Sequence, residues 1–303
     1  MAIHYFKIHE SELEGLNDKV ALITGGSSGI GLATAKLFLN KGAQAVIVAD
    51  LQRPPEGLGP RAQYVKADVA SWKDLVSLFQ VAMDRYGRVD IVFANAGVAD
   101  VTDYVNLKEH EGQLLEPSRR PIEINLFGCQ NTVALAVYHM QRQQPPGGSI
   151  VMTASGAGYE GVTSASYTSA KHGIIGFLRA MKMQLYPKIP VRLNVVAPGW
   201  TQSAITAGIL DTFKSVGVPI QPASAIGLAV AKLATDPKYH GNSLFVANDQ
   251  CAEFEGPILA ETATCVGPSN GDEEQFQKLL MALKAHRLRQ KLERRDPTDL
   301  ANL

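Results

Sequence analysis

Tyr167 and Lys171 stand at positions i and i+4 of the run Tyr167-Thr168-Ser169-Ala170-Lys171. On a helix that spacing puts a phenol and an ammonium one turn apart on the same face. A phenol in water holds its proton to about pH 10. A neighbouring ammonium stabilises the phenolate and makes the pair usable for general acid–base chemistry. The spacing alone is weak evidence, because Tyr104 and Lys108 repeat it and read as a chance surface pair. Context separates the two. Tyr167 follows the apolar run 149–153 and a serine-containing loop, and a long helical pattern begins at it.

A second set of residues suits an anionic ligand. Thr24-Gly25-Gly26-Ser27-Ser28-Gly29-Ile30-Gly31 spaces its glycines G-x-x-x-G-x-G between an apolar run and a helical pattern. Glycine permits a tight turn, lets backbone N–H groups approach a pyrophosphate, and lets the helix pack closely on the strand. Ser27 and Ser28 offer hydroxyl donors. Asp50 ends the next apolar run, Ala45-Val46-Ile47-Val48-Ala49-Asp50. A carboxylate there can accept both hydroxyls of a ribose and repels a 2′-phosphate. A glycine-rich βα turn or a strand-end aspartate is ordinary when taken singly. Together they favour a dinucleotide, NAD(H) over NADP(H), against which Arg53 is the counter-argument because it could reach a 2′-phosphate.

The elements that must position these groups are legible as runs. Strands are expected at 19–24, 45–50, 63–67, 89–94, 149–153, 191–197 and 243–247. They are apolar nearly throughout, as in a parallel sheet covered on both faces. Helical stretches separate them. The stretch 30–41 stops at Gly42, a C-cap signal. Ser71 and Asp74 resemble a capping box opening a helix that carries Leu75, Leu78, Phe79, Ala82 and Met83 and ends at Gly87. Ile122, Leu126, Cys129, Val133, Val137 and Met140 also repeat at helical spacing. Repeated β-α units of this kind predict an α/β fold with a doubly wound sheet in one domain, over residues 18–250. Residues 1–17 read as an N-terminal extension. Residues 251–303 read as a helical C-terminal extension, with a charged helix at 272–293 that has a sparse apolar stripe and a basic end.

Composition excludes other classes. The 303 residues carry 29 Lys+Arg against 29 Asp+Glu, so no basic excess exists to attract nucleic acid. Hydrophobic residues at 46% and charged residues at 19% suit a globular chain rather than a disordered one. No apolar run approaches the ~20 residues of a membrane span, and the first 17 residues lack a signal-peptide core. Cys129, Cys251 and Cys265 have no metal-type spacing and read as reduced thiols of a cytoplasmic protein. The seven histidines lie too far apart for a zinc motif, and no metal is expected.

Several motifs in order carry a resemblance: Thr24–Gly31, Asp68-Val69, Asn95-Ala96-Gly97, Asn125, Ser155, Tyr167 with Lys171, and Pro198-Gly199. The chain resembles the short-chain dehydrogenase/reductase family over residues 18 to 250, with loops most similar in style to fungal metabolite-tailoring and prostaglandin-dehydrogenase-like members. The resemblance implies a Rossmann-type sheet with helices on both faces. It implies Tyr167 as the acid/base, Lys171 stabilising its phenolate and binding the nicotinamide ribose, and Ser155 hydrogen-bonding the substrate oxygen. Asn125 would hold a water that relays protons from Lys171. Asp68 and Val69 would contact adenine. Asn95, Ala96 and Gly97 would line the cofactor, and Pro198, Gly199, Thr201 and Ser203 would meet its carboxamide and pyrophosphate. Ser28 stands where NADP-using relatives often carry a basic residue. The stripe at Ile122, Leu126, Cys129, Val133 and Val137 resembles the family's paired-helix interface, as in a homodimer or homotetramer, although core packing demands the same pattern.

The chain departs from the family in three places. Ala94 replaces the first Asn of Asn-Asn-Ala-Gly. The loop from Ser155 to Tyr167 is about one residue short, which keeps Thr153 and Ser164 open as alternatives to Ser155. Asn248-Asp249 replaces a glycine pair. The implied activity is NAD-dependent interconversion of a secondary alcohol and a ketone on a small apolar metabolite, in the oxidative direction. A catalytically silent dinucleotide-binding regulator, or an epimerase or dehydratase on the same scaffold, stays open as an alternative.

Overall fold

A computed structural model describes residues 3–99, 102–162 and 164–266, together with 282 and 285. In chain order the elements are β1 (Tyr5–Phe6), β2 (Val20–Thr24), α1 (Gly29–Asn40), β3 (Ala45–Asp50), β4 (Ala62–Lys66), α2 (Trp72–Tyr86) and β5 (Ile91–Ala94). A small hairpin follows, β6 (Glu109–His110) and β7 (Gln113–Leu114). Then come α3 (Arg120–Ile122), a π-helical turn (Glu123–Gly128), α4 (Cys129–Arg142), β8 (Gly148–Thr153), α5 (Ala165–Lys182), β9 (Val191–Pro198), α6 (Leu210–Ser215), α7 (Ala223–Thr235), β10 (Ser243–Ala247), β11 (Gln250–Glu253) and α8 (Glu255–Val266). Apart from Ala282 and Ala285, the expected helix at 272–293 lies outside the described residues.

The main sheet runs β1-β11-β10-β9-β8-β5-β2-β3-β4. The seven strands from β10 to β4 are parallel, and β11 and β1 are antiparallel additions. Side chains alternate between the two faces of a strand. Val20 and Leu22 therefore enter one core with α2, α4 and α5, while Ala21 and Ile23 enter the other with α1 and α7. Both faces are covered, which is why the strands read as unbroken apolar runs. Helix α2 is bounded as its sequence requires. The Ser71 hydroxyl accepts from the Asp74 amide at its start, and Gly87 takes φ +71° at its end.

Two expectations need correction. Residues 1–17 are not an appendage. Tyr5–Phe6 pairs with Ala252 and Cys251, and Ile8, Leu13 and Leu16 are buried in the core. The boundary drawn at 250 also fails, because it cuts strand β11, which pairs with β10 through Ala247↔Gln250. The physical reason is the same for both: β10 would otherwise expose a row of unpaired backbone groups, and β11 and β1 cover it. The compact unit runs to Phe254, and a separate unit begins at Glu255 with α8. Part of the stripe left open between subunit pairing and core packing serves the core. Cys129 and Val133 are core residues, with Leu126 and Val137 packed against them.

Candidate active site

Strand β2 hydrogen-bonds both β3 and β5, so the order of the sheet reverses there. In open α/β sheets ligands bind beyond the carboxyl ends of the strands at such a point. The glycine turn leaves β2 and Asn95-Ala96-Gly97 leaves β5, side by side. Gly25 takes φ +64°, and a Cβ on it would lie 2.8 Å from the Ala96 Cα. A Cβ on Gly31 would lie 2.1 Å from the Gly25 carbonyl oxygen. No other residue fits these positions. Asn95 Nδ2 donates to the carbonyls of Thr24 and Gly25, each at 3.2 Å. The amides of Asn95 and Ala96 donate to Thr24 Oγ1.

Helix α1 starts in this crevice. Ser28 is its N-cap yet makes no side-chain capping bond, and Ile30 packs against the core beside it. An uncapped helix N-terminus beside a glycine turn suits a pyrophosphate, so the residues present fit a dinucleotide. Asp50 lies at the adjoining strand end, where its carboxylate accepts from the Ser27 amide at 3.1 Å and the Gln52 amide at 3.2 Å. The Ser27 hydroxyl donates to the Gln52 carbonyl at 2.7 Å. The Arg53 guanidinium sits over the Tyr64 ring, 5.2 Å from its centre.

Beyond β4, Asp68 and Val69 are clamped from two sides. The Asp68 amide donates to Asp74 Oδ2 at 3.0 Å, and its carboxylate pairs with Arg120 at 2.6 Å. Gly128 makes room for Val69, since a Cβ there would lie 2.8 Å from Val69 Cγ2. Partial burial opposes the Asp68 charge. The Arg120 hydrogen bond and the Ala70 amide outweigh it and hold the carboxyl below the usual carboxylate range.

Tyr167 and Lys171 lie in the first half of α5, and Lys171 is only 3% exposed. Its ammonium donates to the Thr153 carbonyl at 2.8 Å and lies 5.4 Å from the centre of the Tyr167 ring. The Thr153 hydroxyl in turn donates to Asn95 Oδ1 at 3.2 Å. Lys171, Thr153, Asn95 and the Gly25 carbonyl thus form one chain of contacts from the ammonium to the glycine turn. Ser155 caps a 3-10 turn, Gly156–Gly158, its hydroxyl accepting from the Ala157 amide at 3.2 Å. That turn packs on α5, where a Cβ on Gly158 would lie 2.9 Å from the Lys171 carbonyl oxygen. Ser164 is the N-cap of α5.

Two of these residues have side chains engaged within the protein. Asn125 sits in the π-helical turn, a feature frequent at functional sites, but its amide is engaged with Val98. It accepts from the Val98 amide at 2.8 Å and donates to the Val98 carbonyl at 3.0 Å. The side chain is a clamp on the segment after β5. Thr201 is 3% exposed, and its hydroxyl donates to the Gly199 carbonyl and accepts from Gln221. That hydroxyl is a structural peg. Pro198 ends β9, and Gly199 is pinned through its amide to the Val246 carbonyl at 2.8 Å. Ser203 stands over the glycine turn, its Cβ 3.3 Å from where a Gly29 Cβ would be. Sequence reading placed Thr24 in the glycine motif without its hydroxyl's role, and missed Gln221 and the linking role of Thr153. It also missed that the Tyr104 hydroxyl bonds the Ser166 hydroxyl at 2.8 Å, beside Tyr167.

Comparisons with known proteins bear on the family and the fold. The model of the family described as short chain dehydrogenase matches residues 19–213. The short-chain dehydrogenase/reductase ascJ of Acremonium egyptiacum is 38% identical over 261 residues, covering 84% of this chain and 87% of its own. The cis-4-hydroxycyclohexanecarboxylate dehydrogenase of Sinomonas cyclohexanicum is 32% identical over 256 residues, covering 82% and 96%. Among solved structures, the 3-ketoacyl-(acyl-carrier-protein) reductase of Brucella melitensis, complexed with NADH, superposes with a TM-score of 0.66 at 25% identity, covering 77% of this chain and 98% of its own. The chain belongs to the short-chain dehydrogenase family, whose members are oxidoreductases that bind a nicotinamide dinucleotide.

Proposed function

We propose that this short-chain dehydrogenase is an NAD(H)-dependent enzyme that interconverts a secondary alcohol and a ketone, oxidation being its working direction. The observation that carries the reading is Lys171. A buried ammonium costs several kcal/mol unless it is well partnered, and its partner here is a neutral carbonyl. A fold retains such a charge where it has chemical use, and the group beside it is the Tyr167 phenol.

When bound, the dinucleotide supplies the hydride acceptor or donor. The remaining work falls to side chains. In oxidation Tyr167 takes the substrate hydroxyl proton as the carbon–hydrogen bond gives up its electron pair. Lys171 stabilises the phenolate and is poised for the nicotinamide ribose, and Ser155 donates to the substrate oxygen. Asp50 accepts the adenosine ribose hydroxyls. Asp68 and Val69 meet adenine, and the backbone around Gly25, Gly29 and Gly31 meets the pyrophosphate, with Ser203 alongside. The π-helical turn at Asn125 holds the relay water through its backbone.

An apolar substrate is supported by the loops that rise from the carboxyl ends of β5, β8 and β9. They expose Leu107, Leu114, Val162, Trp200, Ile209 and Val218. Exposed Phe127 and Tyr138, on the outward side of the π turn and α4, support a homo-oligomer, which light scattering tests. Buried free thiols at Cys129 and Cys251 suit a reducing compartment, the cytoplasm.

The test is a panel of secondary alcohols and ketones with both nicotinamide cofactors, following the absorbance of the reduced nicotinamide. Turnover is expected with NAD(H). Tyr167→Phe is expected to lower kcat by at least about a hundredfold with NADH affinity within about twofold of wild type. A phenylalanine variant with near-wild-type kcat would remove Tyr167 from the reaction.

A further inference from the structure

Arg120 has no part in the chemistry described above, yet it makes a short contact to a residue of the cofactor crevice. Its Nη2 lies 2.6 Å from Asp68 Oδ2. The two residues are 52 positions apart in sequence, on different elements. The other Asp68 oxygen is already engaged, accepting from the Ala70 amide at 2.9 Å. The backbone of Asp68 is fixed as well, by its amide on Asp74 and by its carbonyl accepting from the Ser71 amide at 2.9 Å. Arg120, with the Ala70 amide on the other oxygen, therefore sets the freedom that remains, the direction of the carboxylate plane. A carboxylate has about four lone-pair sites, so two bonds leave it able to accept from a ligand.

The pair is too exposed to matter much for stability. The Arg120 and Asp68 side chains are 48% and 27% exposed, and such pairs contribute little. Glu123 offers Arg120 only a longer contact, 3.9 Å. The guanidinium meets the carboxylate through Nη2 alone, but its donors lie in one rigid plane, whereas an ammonium is a rotating point charge on a flexible stem.

We infer that Arg120 is a positioning residue for cofactor recognition, orienting the Asp68 carboxylate to accept a hydrogen bond from the exocyclic amine of adenine. The inference rests on the reading of Asp68 as the adenine contact. The probe is the reduced dinucleotide in which hypoxanthine replaces adenine, because it presents a carbonyl where adenine presents the amine. Binding of NADH and of this analogue to the full chain is titrated by the fluorescence of the reduced nicotinamide. Wild type is expected to prefer NADH by about tenfold, the loss of one charge-assisted hydrogen bond. Asp68→Asn is expected to abolish the preference. Arg120→Met is expected to cut it to about twofold, and Arg120→Lys, which keeps the charge without the planar guanidinium, to recover less than half of the loss. An Arg120→Met variant that keeps the wild-type ratio while Asp68→Asn loses it overturns the role of Arg120 and leaves the Asp68 reading intact. An Asp68→Asn variant that keeps the ratio overturns both. If circular dichroism shows the methionine variant unfolded, the lysine variant decides by the same ratio.

Discussion

Replacing Gly31 with alanine tests whether the glycine turn is a close-packed cradle or only a flexible connection. A Cβ on Gly31 would lie 2.1 Å from the Gly25 carbonyl oxygen and 2.8 Å from Asn95 Nδ2. The first neighbour is backbone, so no flexible end can yield. Turn and helix must separate by about 0.9 Å to bring 2.1 Å up to the 3.0 Å that real Cβ contacts respect. Overpacking of this kind costs about 1–3 kcal/mol, and the helix propensity gained by alanine offsets about 1 kcal/mol at most. With that offset the net cost is about 0–2 kcal/mol, and at roughly 2–4 °C per kcal/mol for a domain of this size Tm should fall by up to roughly 8 °C. Binding should fall as well, because on the proposed reading the displaced amides are those that meet the pyrophosphate. The Kd for NADH should rise by at least about tenfold, or about 1.4 kcal/mol. Gly176→Ala in α5 is the matched control, since its Cβ would meet nothing within 4 Å. It should stabilise by about 0.5–1 kcal/mol and leave NADH affinity unchanged. The assays are a thermal melt and an NADH titration. A Gly31→Ala protein that binds NADH within about twofold of wild type would refute the close-packed cradle.

Asp50→Ala should narrow the preference for NADH over NADPH by about tenfold; an unchanged ratio would take Asp50 out of the ribose site. The Asp68 carboxyl is depressed in the folded protein, burial opposing its charge but Arg120 and the Ala70 amide prevailing. Its charged form therefore contributes fully above the ordinary carboxylate range, about pH 4, and is lost as pH falls through the folded value. NADH affinity should be flat through the neutral range and drop only in acid, with the drop moved to higher pH in Arg120→Met; coincident profiles would contradict this. Burial pushes the Cys129 and Cys251 thiols up to about 12. In the native protein both should resist iodoacetamide at about pH 8, and labelling as fast as in denaturant would show that they are accessible thiolates.

What the sequence determined by itself is what short-range patterns encode. Unbroken apolar runs such as 45–50 meant strands covered on both faces, and Ser71 with Gly87 bounded a helix to the residue. The glycine spacing after β2 and the Tyr167–Lys171 spacing are local too, because turn geometry and helical pitch act over a few residues. Tertiary structure decided the rest. The pairing of Phe6 with Cys251 joins opposite ends of the fold, and no period in either segment announces it. Asn125 and Thr201 stand in the motif as expected, but the direction of each side chain depends on Val98 and on Gln221, which only the register of the sheet brings near. The contacts from Lys171 through Thr153 and Asn95 to Gly25, and from Arg120 to Asp68, likewise join separate strand ends. Residue type and spacing specify which groups are available. Which partner each one meets follows from packing between segments distant in sequence, where geometry rather than propensity chooses the hydrogen bond.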